Sequence, residues 1–310
     1  MERIEYDEFG LFHENAEEFG IPYDGPPVVR RESTEVDPGR KLSALVWGTS
    51  DPSLVFLHGG AQNAHTWDTV ALALARPLVA IDLPGHGHSD GGRHGSLSLT
   101  DNAEDVAKVI RALAPNARGV VGMSLGGLTT LALSTVDPDV VRSIVLVDVL
   151  PSVQPDSAKV IADFINGPES FPSFDEILAR TIEYNPTRSV SSLRRGILHN
   201  AEQRDDGSWV WRHARHRASE PAEESPAIAE RFGQLWNAVS AVKVPLLLVR
   251  GMRPQSVVDD AHEAELLRRL PSARVEHVQE AGHSVQGDAP LELARLIQDF
   301  IPEAETSRRA

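Results

Sequence analysis

The chain has 310 residues and not one cysteine. That removes disulfides, thiolate zinc sites and cysteine nucleophiles together. A chain of this length buries enough apolar surface to fold without covalent staples. Cysteine-free composition fits a reducing compartment. Cations are the minority charge, 30 basic against 45 acidic residues for a net −15. A field of that sign repels phosphate backbones and anionic lipid, so neither nucleic acid nor a membrane surface is expected as a partner. No uninterrupted apolar run approaches the roughly 18 residues that a membrane helix needs. The opening MERIEYDEFGLFHENAEEFG is acidic and lacks the apolar core of a signal peptide, so the expected location is cytoplasmic. Internal repeats and low-complexity tracts are also missing.

What is present is ordinary for a soluble globular protein, 41% hydrophobic and 24% charged. Short apolar runs bounded by Gly, Pro and Asp alternate with helix-like stretches. Strands are expected at 41–48, 53–57, 77–82, 118–123, 142–149, 245–250 and 273–278. Several are continuously apolar, as parallel strands covered on both faces must be. Helices are expected at 66–75, 100–113, 126–136, 258–270 and 289–300, with Thr100 and Asp288 marking two helix starts. The alternation implies an α/β fold, a mostly parallel sheet between helical layers.

Residues 151–240 break the rhythm and are too long for a plain loop. They read as an inserted, mainly helical cap on a core formed by 26–150 and 241–302. Residues 1–25 read as a loosely attached polar lead-in, and 303–310 as a polar tail.

Three stretches carry chemistry. GVVGMSLGG, residues 119–127, runs a buried strand into Gly122-Met123-Ser124-Leu125-Gly126 at a helix start. A strand–turn–helix of this kind lifts a serine hydroxyl above the sheet. It also leaves the Leu125 N–H at the helix N-terminus, ready to donate to an oxyanion. The bland alternative is a glycine-rich turn with an incidental serine. LVFLHGGAQNAHTW, residues 54–67, ends a strand in His58-Gly59-Gly60, where a backbone N–H can approach a bound oxygen. Gly60 is the first candidate donor there and Ala61 the second. EAGHSV, residues 280–285, sets His283 on a loop after the last strand. A serine needs such an imidazole to accept its proton.

These stretches, with DLPGHGHSD at 82–90, resemble the α/β-hydrolase fold family, in its capped branch of esterase-, lactonase- and epoxide-hydrolase-like proteins. The resemblance spans residues 54 to 285 in the family's order. It implies an α/β-hydrolase core with Ser124 as nucleophile, His283 as base, and Gly60 and Leu125 as the oxyanion hole. Relatives that open epoxides or remove halides carry aspartate at the elbow, so Ser124 implies an acyl-enzyme instead. The family's usual acid would follow the strand at 245–250, yet GMRPQSVVDD has no carboxylate at the turn. Asp148, after the strand at 142–147, is the favoured acid. Asp259 and Asp260 are the alternative, with helix capping as their plainer role.

The expected enzyme is a serine hydrolase without cofactor, acting on a small, hydrophobic ester or lactone. Ala61, Met123, Trp209 and Trp211 are candidate pocket residues, with Phe164, Phe171, Phe174 and Trp236 as further apolar residues of the cap. Other readings keep the scaffold: a C–C bond hydrolase, a perhydrolase-like protein, a cofactor-free oxygenase, or a non-catalytic binding protein. The histidines at 58, 65, 86, 88 and 94 lack any recognisable metal spacing, so no metal is expected. Trp209 and Trp211 lie in GSWVWRHARHR (207–217), whose basic and aromatic residues are assigned to the cap rather than to nucleic acid. A homo-oligomer is left open.

Overall fold

A computed structural model describes residues 3–93, 98–151, 163–213 and 226–303. Its centre is an eight-stranded sheet of β1 (Val29–Asp37), β2 (Arg40–Trp47), β3 (Leu54–Leu57), β4 (Leu78–Ile81), β5 (Gly119–Met123), β6 (Ile144–Val147), β10 (Leu246–Gly251) and β11 (Arg274–Val278). The strand order is β1-β2-β4-β3-β5-β6-β10-β11. Only β1 with β2 and β2 with β4 run antiparallel. The apolar runs LVFL, LVAI and IVLV are buried along their whole length because helices cover both faces. Alternate residues therefore feed two separate cores, Val55 and Leu57 one, Leu54 and Phe56 the other.

One face is covered by α3 (Leu99–Leu113), α4 (Leu125–Val136), α7 (Pro226–Ala241) and α8 (Asp260–Arg269). The opposite face is covered by α1 (Phe12–Phe19), α2 (Asp68–Leu74) and α10 (Pro290–Phe300). Strand and helix positions agree with the sequence to within about two residues, but the helix caps do not. Ser98 rather than Thr100 caps α3, accepting from the Asp101 N–H at 3.2 Å. Asp288 is not the cap of α10; its carboxylate accepts the Gly282 N–H at 2.9 Å.

Parts of the chain differ from the sequence reading. Strand β1 was not anticipated, because VRRESTEVD lies at the sheet edge, half-exposed, and has no apolar run to betray it. Residues 3–20 are docked rather than loosely attached. Phe12 is 1% exposed and packs against Trp47 with the rings tilted and their centroids 4.9 Å apart, a burial that contributes about 1.5–3 kcal/mol. Glu8 pairs with Arg31, and Glu18 with Arg195. Helix α7 falls inside the range read as cap, yet Leu235 and Val239 pack into the sheet's own core. Trp236 goes with them, under the guanidinium of Arg269 at 5.3 Å, so it belongs to the core layer and not to the cap.

The remaining inserted segment carries α5 (Phe174–Tyr184), α6 (Val190–Asn200) and a three-stranded sheet of β7 (Ser170–Phe171), β8 (Ala201–Gln203) and β9 (Trp209–Trp211). It has a small core of its own, in which Phe171, Ile177, Ile197 and Trp209 meet. The sheet was missed because strands of two or three residues leave no periodicity. Residues 3–20 tie this unit to the main domain. The Ile4 N–H reaches Gln203, the Tyr6 hydroxyl lies 2.7 Å from His199 Nδ1, and Glu18 holds Arg195 and Ser189.

Candidate active site

Strand β5 ends at Met123 and α4 begins at Leu125, so Ser124 is the whole turn. Its backbone sits at φ 50°, ψ −118°, a region that L-residues rarely adopt and that costs on the order of 1–3 kcal/mol. Two glycines make the turn fit. A Cβ at Gly122 would lie 2.5 Å from the Gly126 carbonyl oxygen, and one at Gly126 would lie 2.2 Å from that of Leu57. Ser124 is partly exposed at the top of the sheet, and the Leu125 N–H is the first of the helix, with no helical carbonyl to bind.

The loop after β3 runs alongside. A Cβ at Gly59 would lie 3.3 Å from both the Ser124 Cβ and the Gln62 Oε1, so the loop passes next to the serine. Two buried histidines hold it. His58 accepts the Leu83 N–H on Nε2 at 2.9 Å, which leaves its proton on Nδ1 to donate to the Gly59 carbonyl at 2.7 Å. Burial holds His58 below the ordinary imidazole value and therefore neutral. His86 Nε2 accepts the Ala61 N–H at 3.1 Å. The second candidate oxyanion donor is thus engaged, whereas the Gly60 N–H has no partner among the described residues.

Asp148 follows β6 with φ 46° and is fully buried. Its carboxylate collects four donors: the Gly251 N–H at 2.9 Å, the Ser256 hydroxyl at 2.6 Å, the Val257 N–H at 3.0 Å and His283 Nδ1 at 3.0 Å. Asp259 and Asp260 do not reach His283. Asp259 caps α8 in a reciprocal pair with His262, and the exposed Asp260 carboxylate binds Arg250 at 2.7 Å. Ser256 was not foreseen. It stands in the turn where the family's aspartate would be, and donates to the aspartate that faces His283 instead. A lone serine in a turn carries no sequence signal of that role.

The other histidines are accounted for separately. DLPGHGHSD is a brace, in which Asp82 accepts from the Ala64 and His88 N–H groups and pairs with Arg31 at 2.8 Å. His94 lies outside the described residues. His65, Asp68 and His199 do converge, with ligand atoms within 4.8 Å of one another, a cluster the sequence reading did not pick out. Both His65 nitrogens are engaged, by Asp68 at 2.9 Å and Glu8 at 3.2 Å, and its ring stacks on His199 at 3.8 Å with only 10° between planes. Parallel rings direct their lone pairs side by side, not at a common point, so the cluster reads as an ion network. Burial opposes charge on His65, but the Asp68 and Glu8 carboxylates outweigh it and raise the group to about 9. Burial and the neighbouring His65 charge push His199 well below the ordinary value.

A cavity of about 150 Å³ lies between the inserted segment and the core. Ala61, Gln62 and Thr66 from the loop after β3, and Gln286 and Gly287 from α9 (Val285–Asp288), form its floor. Phe164, Leu193, Ile197 and Trp211 supply apolar walls. Of the four pocket candidates, Ala61 and Trp211 line it. Met123 is buried beneath Gly59, and Trp209 packs edge-on against Phe174 in the cap core at 5.0 Å. Ile165 of the inserted segment reaches to 3.7 Å of the Cβ position at Gly60.

Residues 52–290 match the model of the alpha/beta hydrolase fold. The chain is 44% identical over 302 residues to esterase Rv0045c of Mycobacterium tuberculosis, covering 95% of this chain and 96% of that one. A crystal structure of that esterase superposes with a TM-score of 0.81 at 43% identity, over 97% of this chain and 100% of the other. The chain is also 32% identical over 235 residues to a pimeloyl-[acyl-carrier protein] methyl ester esterase of Sodalis glossinidius, spanning 70% of this chain and 84% of that one.

Proposed function

Because the chain belongs to the alpha/beta hydrolase fold family, we propose that it is a serine esterase whose nucleophile is Ser124, with His283 as base, Asp148 as acid, and Gly60 and Leu125 as oxyanion donors. The Asp148–His283 contact carries this reading, because it joins a buried carboxylate to the imidazole nitrogen that must hold its proton. With Nδ1–H donated to Asp148, Nε2 is the basic nitrogen. It takes the Ser124 proton as Oγ adds to the ester carbonyl.

The resulting oxyanion is held by the Gly60 and Leu125 N–H groups, neither of which has a partner among the described residues. His283 then gives the proton to the leaving alkoxide, and an alcohol departs from an acyl-serine. Water, deprotonated by His283, adds to that ester. Collapse frees the carboxylic acid and returns the proton to Ser124.

The described part of the inserted segment, residues 163–213, serves as the roof of the site. Ile165 over Gly60 and the walls of Phe164, Leu193, Ile197 and Trp211 support a small acyl group with apolar parts. Turnover of a panel of p-nitrophenyl esters and lactones tests this. Ester hydrolysis that survives in Ser124→Ala would overturn it.

A further inference from the structure

The cavity under the cap holds a cation that the ester chemistry above does not use. Arg188 precedes α6 and lines the cavity beside Gly287, where a Cβ would come within 2.8 Å of its guanidinium carbon. The glycine leaves room for the head group four residues after His283. Among the described residues the Arg188 side chain makes one hydrogen bond, from Nη2 to the Ser192 hydroxyl at 2.5 Å, and its buried Nε has no partner. No carboxylate among the described residues forms an ion pair with it.

The two carboxylates that act on Arg188 from further away are committed elsewhere. Asp288 binds the Gly282 N–H, and Glu18 binds Arg195 and Ser189. Arg195, on the same cavity, differs in being paired with Glu14 and Glu18. A second polar atom is left over as well: Gln286 is 2% exposed, and its Oε1 has no partner among the described residues.

A shielded guanidinium without a counter-ion is costly to fold around. Its planar fork suits one ligand group above others, a carboxylate bound through two N–H donors. We propose that Arg188 receives the anionic end of the acyl chain, so that the substrates are monoesters of short dicarboxylic acids. This rests on the esterase reading and names its substrate class. Ser124 does not itself line the cavity; the acyl chain would enter it past Gln62, the lining residue that flanks Gly59 together with the serine, and run between Leu193, Ile197 and Trp211 to Arg188. Ester cleavage consumes water and releases the alcohol and the free dicarboxylate. The protein's net negative charge does not forbid this, because ions in solution screen it beyond about 8 Å at physiological salt.

The test compares kcat/KM for monomethyl glutarate and monomethyl adipate with the methyl esters of the corresponding terminal amides. The wild-type enzyme is expected to favour the acid-ended esters by about tenfold or more, the equivalent of one charge-assisted contact. Arg188→Met should abolish the preference while leaving amide-ended esters and p-nitrophenyl acetate within about threefold. Arg188→Lys should keep part of it. If Arg188→Met fails to fold, glutarate should still raise the Tm of Ser124→Ala more than glutaramide does. Equal rates for the two ester types, a preference that persists in Arg188→Met, or equal Tm shifts would overturn the proposal. Retained labelling of Ser124 and p-nitrophenyl acetate turnover in those cases would leave the esterase reading standing. Loss of all ester turnover in the wild-type protein would remove both.

Discussion

Asp148 and His283, 135 residues apart, meet at 3.0 Å between carboxylate and Nδ1. The contact is possible because β6, β10 and β11 are consecutive parallel strands of the sheet, so the loops at their ends share one rim. Asp148→Asn is expected to lower kcat/KM by about two to four orders of magnitude, since an amide cannot stabilise the imidazolium. Asp260→Asn should stay within about threefold. Asp259→Asn should act only on stability, by about 1 kcal/mol or less, through the α8 cap. A large kinetic loss in either of those variants, with Asp148→Asn mild, would reassign the acid.

Ser256 donates to Asp148 at 2.6 Å but makes no contact with His283, so it is a positioning residue. Ser256→Ala leaves the Gly251 and Val257 N–H groups on the carboxylate. It should lower kcat by about three- to tenfold with KM unchanged, the signature of a defect expressed in the transition state. Ser256→Thr should restore most of the loss. A rise in KM with unchanged kcat would contradict this role.

The backbone at Ser124 is strained, and only glycine occupies φ 50°, ψ −118° without penalty. Ser124→Gly should therefore abolish turnover and at the same time stabilise the fold by about 1 kcal/mol or more. Thermal unfolding compared with Ser124→Ala measures it. A Tm at or below that of the alanine variant would show that the turn stores no strain.

Much of this architecture was legible in residue patterns. Strands covered on both faces must be apolar throughout, and so LVFL, LVAI and IVLV stood out. Ser124 and His283 sit in short motifs, and the glycines around Ser124 are dictated by backbone clearance. The illegible parts have physical reasons of their own. Strand β1 is an edge and needs no apolar run. The helix at Phe12–Phe19 hides two buried apolar residues, Phe12 and Ala16, in an acidic stretch. Three aspartates fit the acid's place along the chain, and only the placement of β6 beside β10 and β11 separates them. Arg188 looked like any surface arginine, because its isolation is a property of what surrounds it in space.

The network around His65 gives a pH test. Burial acts to lower His65, but Asp68 and Glu8 raise it to about 9, above the unfolded value of about 6.5. Its contribution to stability is therefore fully present below pH 6.5 and is lost as pH rises through about 9. Glu8 has the opposite sign. Burial acts to raise it, the His65 and Arg31 contacts prevail and lower it to about 2, and its contribution is lost as pH falls from 4.5 toward 2. Urea unfolding at pH 6.5 and pH 9 should show His65→Gln losing less stability across that interval than the wild-type protein. Identical losses would contradict the charged state of His65.

The most direct measurement is labelling of the intact protein with a fluorophosphonate, followed by peptide mass spectrometry and ester turnover of the same sample. Stoichiometric phosphonylation of Ser124, loss of turnover in proportion to labelling, and no labelling of His283→Ala are expected. Modification at another serine, or a folded protein that neither reacts nor hydrolyses esters, would contradict Ser124 as the nucleophile of an esterase.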